Sequence, residues 1–433
     1  MRFALRCAAA TCIASLLAAG QLGASAGIDR GSAGGYGKER GLELSSLDTY
    51  ETGVFDESAA EIPAFDPRTD RTFVVNAQSG TVDIVRLDRQ GALEAEGVLD
   101  PSGVEAADGS TIPSGAVVNS VDVARGVVAV TVEAPEKTDL GWAAFFDSSQ
   151  LEALGAVRVG AQPDSIALTR KARQAVVANE GEPGEDYEVD PEGSISVIDL
   201  PKSQRRYDRL RQNDVETVRF TAYDEGTALP EGVRVFGPDV PVPEGQPEAG
   251  YVARNLEPEY VTIDRRGRTA YVSIQEANAI AVVDLRSATL SDLWALDLSD
   301  WSAPGAALDA SDRDDAINLA SWPVFGMPMP DGIDTYRYRG KDLVVTANEG
   351  DAREFGDFEE PVRIGDEDYA LCTDVFGEAD ALKADEALGR LEATTADGLR
   401  AGQDCYEQIQ VFGGRSFSIY TAEGDLVFDS AGM

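Results

Sequence analysis

The chain has 433 residues, a formal net charge of -40 and no histidine. This charge excludes nucleic acid as a partner, because phosphates would be repelled. The absence of histidine excludes Ser-His-Asp and Cys-His catalysis and His-ligated zinc or haem. Any catalysis must use carboxylates, Lys or Arg, Tyr, hydroxyls or an oxygen-bound metal. The acidic surface has two interpretations, cation binding or solubility in salt, and the spread of acids along the chain favours the second.

Residues 1–26 have the pattern of a secretory signal peptide. Two arginines precede an apolar run from Cys7 to Ala19 that is too short to span a bilayer, and Ala24-Ser25-Ala26 fits a cleavage site. We expect cleavage before Gly27, followed by a flexible Gly/Ser-rich segment over 27–47. The mature chain is then expected to be secreted, periplasmic or on the extracellular surface, with no transmembrane segment.

Two of the four cysteines, Cys372 and Cys405, remain after cleavage. In an exported protein two remaining cysteines usually pair, so the sequence predicts a disulfide between them. The alternative is two free buried thiols. Between them, the spacing of apolar residues over 378–391 predicts a helix.

The mature chain repeats short runs of β-branched and apolar residues separated by Gly, Pro and acidic clusters. Each repeat opens on a proline followed by an acid, at Pro163-Asp164, Pro258-Glu259 and Pro330-Asp331. Such runs are typical of short antiparallel strands, and their repetition predicts a β-propeller of four-stranded blades.

The predicted propeller occupies residues 48–433 and carries long insertions at 201–256, 287–328 and 357–412. A fifth unit begins at Pro330, and the strands over 416–429 are assigned to a sixth. No closing strand follows, so we expect either a truncated chain or ring closure by the N-terminal segment.

Acidic residues recur at two positions of the repeat: the start of the first strand and the end of the second. In a propeller blade these positions share one face near the central channel, and further acids follow on the adjoining loops. Hard cations such as calcium prefer oxygen ligands from flexible acidic loops. The sequence therefore predicts calcium, or another divalent cation, at a site formed by Asp164, Glu180, Glu182, Glu259, Glu276, Asp331, Glu349 and Asp351.

The alternative interpretation is that Asn-Glu-Gly, at 179–181 and 348–350, is only a turn. Asn tolerates left-handed backbone geometry and Gly supplies it, so the Glu would simply be solvated. Three basic residues near the fifth repeat, Lys341, Arg353 and Arg363, either meet an anionic group or form surface salt bridges.

The repeats resemble the YVTN-type β-propellers, which are similar to WD40 propellers. More narrowly, four phrases resemble the choice-of-anchor I family. They are Ala178-Asn179-Glu180-Gly181-Glu182-Pro183, Ser194 to Leu200, Ala347-Asn348-Glu349-Gly350-Asp351-Ala352-Arg353, and Gly413-Gly414-Arg415-Ser416-Phe417-Ser418-Ile419-Tyr420. That family is similar to mesenchyme-specific cell-surface glycoproteins linked to biomineralisation, and some members carry an alkaline-phosphatase label.

The resemblance implies an exported or surface-held propeller, seven-bladed in full-length relatives and incomplete in this chain, without an agreed catalytic set. We therefore expect a secreted or cell-surface acidic module that binds an extracellular ligand together with calcium. The alternative is a secreted metal-dependent phosphoesterase, since propellers can hydrolyse phosphate esters with calcium and carboxylates. Whether the chain is an enzyme is left open by the sequence.

Overall fold

Short antiparallel strands make up most of the computed structural model, which describes residues 45–55 and 58–430. The predicted signal peptide, and residues 27–44 of the predicted flexible segment, lie outside the described residues. Four consecutive segments each form a four-stranded sheet in which neighbours in sequence pair. The sheets therefore have the meander topology of propeller blades.

The bounds of the first sixteen strands follow the repeats in sequence. Blade 1 contains β1 (Pro63–Asp66), β2 (Arg71–Asn76), β3 (Thr81–Leu87) and β4 (Leu93–Leu99). Blade 2 contains β5 (Val117–Ala124), β6 (Val127–Glu133), β7 (Leu140–Asp147) and β8 (Ala153–Ala161). Blade 3 contains β9 (Pro163–Leu168), β10 (Gln174–Asn179), β11 (Ser194–Asp199) and β12 (Val215–Arg219). Blade 4 contains β13 (Pro258–Ile263), β14 (Thr269–Ile274), β15 (Ala279–Asp284) and β16 (Thr289–Ala295).

The later strands, in chain order, are β17 (Ser299–Asp300), β18 (Val324–Met327), β19 (Ile333–Tyr338), β20 (Lys341–Asn348), β21 (Glu354–Phe355), β22 (Phe358–Glu359), β23 (Pro361–Arg363), β24 (Glu392–Thr394), β25 (Ile409–Phe412), β26 (Ser416–Thr421) and β27 (Leu426–Asp429). Blade 5 has the order β19-β20-β26-β27. The residues assigned to a sixth unit therefore belong to blade 5, and that prediction is wrong. In the described part of the chain, no strand pairing joins blade 5 to blade 1.

Residues 349–415, which we call the excursion, separate the second and third strands of blade 5. Within it β23, β24 and β25 join β17 and β18 in a five-stranded sheet, and β21 pairs with β22 as a small hairpin. The predicted Cys372–Cys405 disulfide is present, with 5.1 Å between the two Cα atoms.

Helices are short. The α-helices are α1 (Thr221–Asp224), α2 (Tyr251–Arg254) and α3 (Ala379–Leu382), and three 3₁₀ turns span Ala77–Ser79, Gln204–Arg209 and Gln212–Asp214. The helix predicted over 378–391 is thus confined to its first turn. Gly389 lies so close to the end of that turn that a Cβ there would be 2.4 Å from the Lys383 carbonyl oxygen. The chain therefore folds back on itself after the first turn, and a series of turns rather than a helix brings Leu388 into the core.

Apolar cores lie between consecutive blades, and the composition of the inner strands explains why. In β10, Ala175 and Val177 pack in the core shared with blade 2, whereas Val176 and Ala178 pack in the core shared with blade 4. Successive residues of a strand point to opposite faces, so a strand buried on both faces has a continuous apolar run. The first strands of neighbouring blades contact one another, from β1 through β5, β9 and β13 to β19.

Candidate functional site

A β-bulge at the start of the first strand places the key side chains in three successive blades. In blade 2 the extra residue is Asn119, and in blade 3 it is Asp164. In blade 4, Glu259 and Tyr260 together lie opposite the single residue Ser273. A bulge interrupts the ladder and can redirect a side chain. These residues therefore lie at the same end of adjoining inner strands.

The second strands bring further acids to the same end. Glu133 ends β6, Glu180 directly follows β10, and Glu276 follows β14 by two residues. Each of these strands is antiparallel to its bulged neighbour, so its last residues lie beside the first residues of the bulged strand. The repeat thus places an acid or amide from each of the two strands at one end of blades 2, 3 and 4.

Three of the predicted residues, Glu180, Glu259 and Glu276, form a compact group that we call the triad. One carboxylate oxygen from each lies within 4.8 Å of those of the other two. All three side chains are buried, at 9, 7 and 6% exposure. Glu180 comes from blade 3 and the other two from blade 4, so the triad spans the boundary between these blades.

The other predicted residues lie around the triad rather than within it. Asp164, Glu182 and Asp331 are half-buried, whereas Glu349 and Asp351 are exposed. Burial, together with Glu349 and Asp351, raises the pKa of Asp331 to about 7. The exposed pair is therefore near enough to Asp331 to act on it, although it does not join the triad.

Few hydrogen-bond donors reach these acids. Gln162 donates through Nε2 to the carboxylates of Glu180, at 2.7 Å, and Glu182, and Lys137 forms an ion pair with Glu182 at 3.0 Å. Glu276 Oε2 is buried with no hydrogen-bond partner, and so is Asp331 Oδ1. Within the described residues, no Lys or Arg lies within ion-pairing distance of the triad. Most of the negative charge at this end of the blades is thus uncompensated.

The electrostatic consequence appears in the pKa values. Burial raises the pKa of each triad carboxyl well above its usual range, and the neighbouring acids raise it further. Asp164 behaves in the same way, with Asp331 and Glu182 as its main neighbours. Carboxylates crowded in a poorly solvated space favour either a proton or a cation.

The Asn-Glu-Gly phrases are more than turns. Asn179 is buried within β10 and donates to Ser194 and Ser196 on β11, and Asn348 makes the same pattern with Ser416 and Ser418. The glycines do have left-handed backbones, with φ of 70° at Gly181 and 76° at Gly350. Each Asn therefore ties the second strand to the third, and the Glu that follows it is held at the strand end.

The residue before each Pro-acid pair makes polar contacts around the candidate site that were not predicted from the sequence. Gln162 bonds Glu180 and Glu182, and Met329 lies against the Arg234 guanidinium. Glu257, in the same position of blade 4, forms a buried ion pair with Arg353. The repeated Pro-acid spacing could have indicated this position. Its partners could not be foreseen, because they come from distant loops.

The three basic residues near the fifth repeat lie in different environments. Arg353 is 1% exposed, and Arg363 forms a partly exposed pair with Glu392. Burial acts against the charged form of Arg353, but Glu257 and Glu276 outweigh it and hold its pKa above the ordinary value. Lys341 is exposed. Of the three residues, only Arg353 is close to the candidate site.

Comparison with known protein families gives one match over most of the chain. A family model described as "Choice-of-anchor I domain" matches residues 61–433. A mesenchyme-specific cell surface glycoprotein of Strongylocentrotus purpuratus is 34% identical over 199 residues, which are 41% of this chain and 25% of that protein. The chain thus matches about a quarter of that relative's length.

Among solved structures, hydrazine synthase of Kuenenia stuttgartiensis aligns with a TM-score of 0.39 and 12% identity, over 86% of this chain and 67% of that one. The Cps50 (Swd1) β-propeller domain of Myceliophteria thermophila aligns with a TM-score of 0.36 and 8% identity, over 64% and 62%. Neither similarity bears on activity. Among the described residues, the helices are all too short to cross a bilayer.

Proposed function

Because the chain belongs to the choice-of-anchor I domain family, we propose that it acts at or outside the cell surface as a β-propeller binding module that holds a calcium ion between blades 3 and 4. The surface location is supported by the similarity to a cell surface glycoprotein and by the Cys372–Cys405 disulfide, a bond typical of oxidising compartments. The metal assignment depends on the triad.

The observation that carries the metal assignment is the spacing of the triad oxygens. Two oxygens that each bind one calcium ion at about 2.4 Å can be no more than about 4.8 Å apart. Glu180, Glu259 and Glu276 meet that limit. Magnesium sets a tighter limit and retains several waters, so a buried group of carboxylates suits calcium better.

A second, independent observation is the unpartnered Glu276 Oε2. Buried polar atoms in native proteins are nearly always hydrogen-bonded, and an exception calls for a ligand, an ion or water. Here the atom belongs to a side chain that is 94% buried and adjoins two further carboxylates. A divalent cation would satisfy that oxygen and offset the charge of the triad at the same time.

The experiment is calorimetric titration of calcium into chelator-treated protein, combined with thermal unfolding in calcium or sodium at matched ionic strength. Calcium at a hundredfold excess over its dissociation constant should stabilise the fold by about 2.7 kcal/mol. Sodium should give only the general screening response. Glu180→Gln/Glu276→Gln should lose the calcium-specific part.

The matched control is Glu94→Gln/Glu216→Gln, which removes the same charge from exposed positions on β4 and β12. It should retain the full calcium response. Equal stabilisation of the wild type by the two salts, or a calcium response that survives in the triad variant, would show that the triad does not hold the ion.

The same wild-type and triad-variant proteins test the phosphoesterase alternative. Exposed Glu349 and Asp351 place negative charge beside the site, which opposes the approach of a phosphate ester. We therefore expect no turnover of an aryl phosphate above that of the triad variant. Turnover that requires calcium and is lost in Glu180→Gln/Glu276→Gln would favour the enzyme instead.

A further inference from the structure

Two buried arginines, Arg234 and Arg353, contact the segments of blade 4 that carry Glu259 and Glu276. Arg234 belongs to the connection between blades 3 and 4, and Arg353 belongs to the excursion. Both guanidinium groups lie over the ring of Phe236, at 4.4 and 4.7 Å from its centroid. They are 7 and 1% exposed. Two charges buried this deeply must be held by specific partners.

Arg353 is held by residues that lead into blade 4. It donates to the Phe236 carbonyl at 2.7 Å and to Asn255 Oδ1 at 2.8 Å, and it forms an ion pair with Glu257. Glu257 precedes the triad residue Glu259 by two positions. The only side-chain nitrogen of Arg353 without a partner is Nε. This arginine is therefore fixed at the base of the strand that carries one triad carboxylate.

Arg234 fixes the other triad strand of blade 4 and also binds the excursion. It donates to the backbone carbonyl of Glu276 at 2.7 Å, and it pairs with Glu360 and, at 2.6 Å, with Asp397. Glu360 in turn accepts a hydrogen bond from the backbone N–H of Arg353. The two arginines and Glu360 thus connect the excursion to both strands that deliver Glu259 and Glu276.

The two arginines differ in how many carboxylates pair with each of them. Arg234 is matched by two carboxylates of the excursion, Glu360 and Asp397. Arg353 has a single ion-pair partner, Glu257, and the rest of its field is shared by Glu276 of the triad, Tyr187 and the buried Asp190. Arg353 is thus the positive charge that partly offsets the triad when no metal ion is bound.

We propose that Arg353 is a built-in counter-ion that competes electrostatically with the divalent cation of the triad, so that cation binding and docking of the excursion oppose each other. This inference rests on the proposed function. The cation and the guanidinium group are both attracted to the Glu276 carboxylate. When one of them neutralises part of that negative charge, the other gains less binding free energy from it. Thermodynamic linkage makes the effect reciprocal. The free energy by which Arg353 weakens cation binding equals the free energy by which the bound cation weakens docking of the excursion.

The part of the excursion expected to respond is the β21–β22 hairpin, which follows Arg353 directly. Its two aromatic residues, Phe355 and Phe358, pack edge-on against Tyr187, with ring centroids 5.9 and 5.8 Å apart. Glu354 and Glu359 are exposed. Lys137 lies over the Phe355 ring at 4.6 Å, and Phe358 packs on Phe236 at 6.5 Å between centroids. A weaker hold on Arg353 would therefore loosen a small hairpin that is attached mainly through its two rings.

The first test measures calcium affinity by calorimetry in three variants of the full chain. Arg353→Met removes the charge and keeps an unbranched chain, and it should bind calcium about tenfold more tightly than wild type, since a cation near the site is removed. Arg353→Lys keeps the charge and should remain within about twofold of wild type. Arg363→Met removes the same charge from a partly exposed ion pair with Glu392 and should also change affinity by less than about twofold.

The outcomes separate this inference from the proposed function. Wild type that binds calcium, with Arg353→Met binding it equally or more weakly, overturns the role of Arg353 and leaves the cation site intact. Wild type that shows no calcium binding overturns both. A purely structural arginine would lower affinity on removal, so the sign of the change decides.

If Arg353→Met does not fold, amide hydrogen exchange of wild type with and without calcium decides instead. Amides of residues 354–359 should exchange about threefold faster with calcium bound, while those of β13 and β14 slow down. Slower exchange in all three segments would overturn the proposal, because calcium would then strengthen the docking that Arg353 provides.

Discussion

Two buried acidic regions of this propeller show opposite chemistry. Asp66, at the end of β1, is 3% exposed and accepts hydrogen bonds from Ser148 at 2.6 Å, the Arg68 backbone at 3.0 Å and Thr69 at 3.2 Å. Glu276 is equally buried but has one carboxylate oxygen without a partner. Burial alone would raise the pKa of both groups. The donors around Asp66 hold its pKa below the ordinary value, whereas the pKa of Glu276 is raised well above it.

The comparison shows that burial of a carboxylate does not by itself mark a functional site. Asp66 links blade 1 to Ser148, which directly follows β7 of blade 2, and its hydrogen bonds stabilise this contact between the two blades. The triad has one such donor, Gln162 to Glu180, and is expected to need a proton or a cation. What distinguishes the two regions is the supply of N–H and O–H groups, and this difference can be tested from both sides.

The largest effect is expected from Asp66→Ala. Removing this carboxylate leaves Ser148 and Thr69 without their acceptor, so we expect a loss of about 3 kcal/mol in the free energy of unfolding, measured in urea. The control is Glu94→Ala, an exposed acid on β4, which should change stability by less than about 0.5 kcal/mol. Similar stabilities of the two variants would mean that the donors around Asp66 contribute nothing.

A smaller effect is expected from pH in chelated protein. Asp331, with a folded pKa of about 7, and the triad all bind protons more tightly when folded than when unfolded. The contribution of Asp331 is therefore fully present below about pH 4 and is lost as the pH rises through about 7, and the raised pKa values of the triad act in the same direction. Stability should fall between pH 5.5 and 8 by on the order of 2 kcal/mol.

Asp66 does not interfere with that measurement. Its folded pKa is lowered, so its contribution is present above about pH 4 and is lost only as the pH falls through the folded value. Saturating calcium should reverse the slope, because the ion requires deprotonated carboxylates. A flat profile from pH 5.5 to 8 in chelator would argue that the acids are compensated within the protein.

The smallest effect, with the opposite sign to Asp66→Ala, is expected from Glu276→Gln in chelator at pH 8. A neutral isostere removes a carboxyl whose charged form is opposed by burial and by neighbouring acids, so the fold should gain about 1 kcal/mol. The same substitution at Glu216, exposed on β12, should leave stability unchanged. Destabilisation by Glu276→Gln would place this residue with Asp66, as an acid whose bonds hold the fold together.

The fold and the acidic positions were predictable because they depend on local patterns. Strand runs and Pro-acid spacing place Asp164, Glu180, Glu259 and Glu276 in register from sequence alone. The predicted residues nevertheless do not all come together, since Glu349 and Asp351 remain exposed. Register gives the end of the blade on which a residue lies, but not the depth of its side chain.

The remaining parts of the site depend on contacts between residues far apart in sequence. Arg353 meets Glu257 across 96 positions, and Arg234 meets Glu360 across 126. A repeating pattern of residue types in the sequence cannot indicate a pairing between residues so far apart. The assignment of 416–429 to a separate unit failed for a related reason. The excursion separates β20 from β26 in sequence, although the two strands pair in the fold and the buried Asn348 bonds to Ser416 and Ser418.

The bulges at the start of the inner strands also affect how such a protein can evolve. Asn119 and Asp164 occupy the same position in successive blades, and Glu259 lies within the corresponding bulge of the next. A bulged residue makes no paired contact in the ladder, so exchanging it leaves the sheet register and the interblade cores unchanged. A single codon change at such a position alters the charge at one end of one blade. A lineage can therefore vary the ligands of the propeller blade by blade while the scaffold is inherited intact.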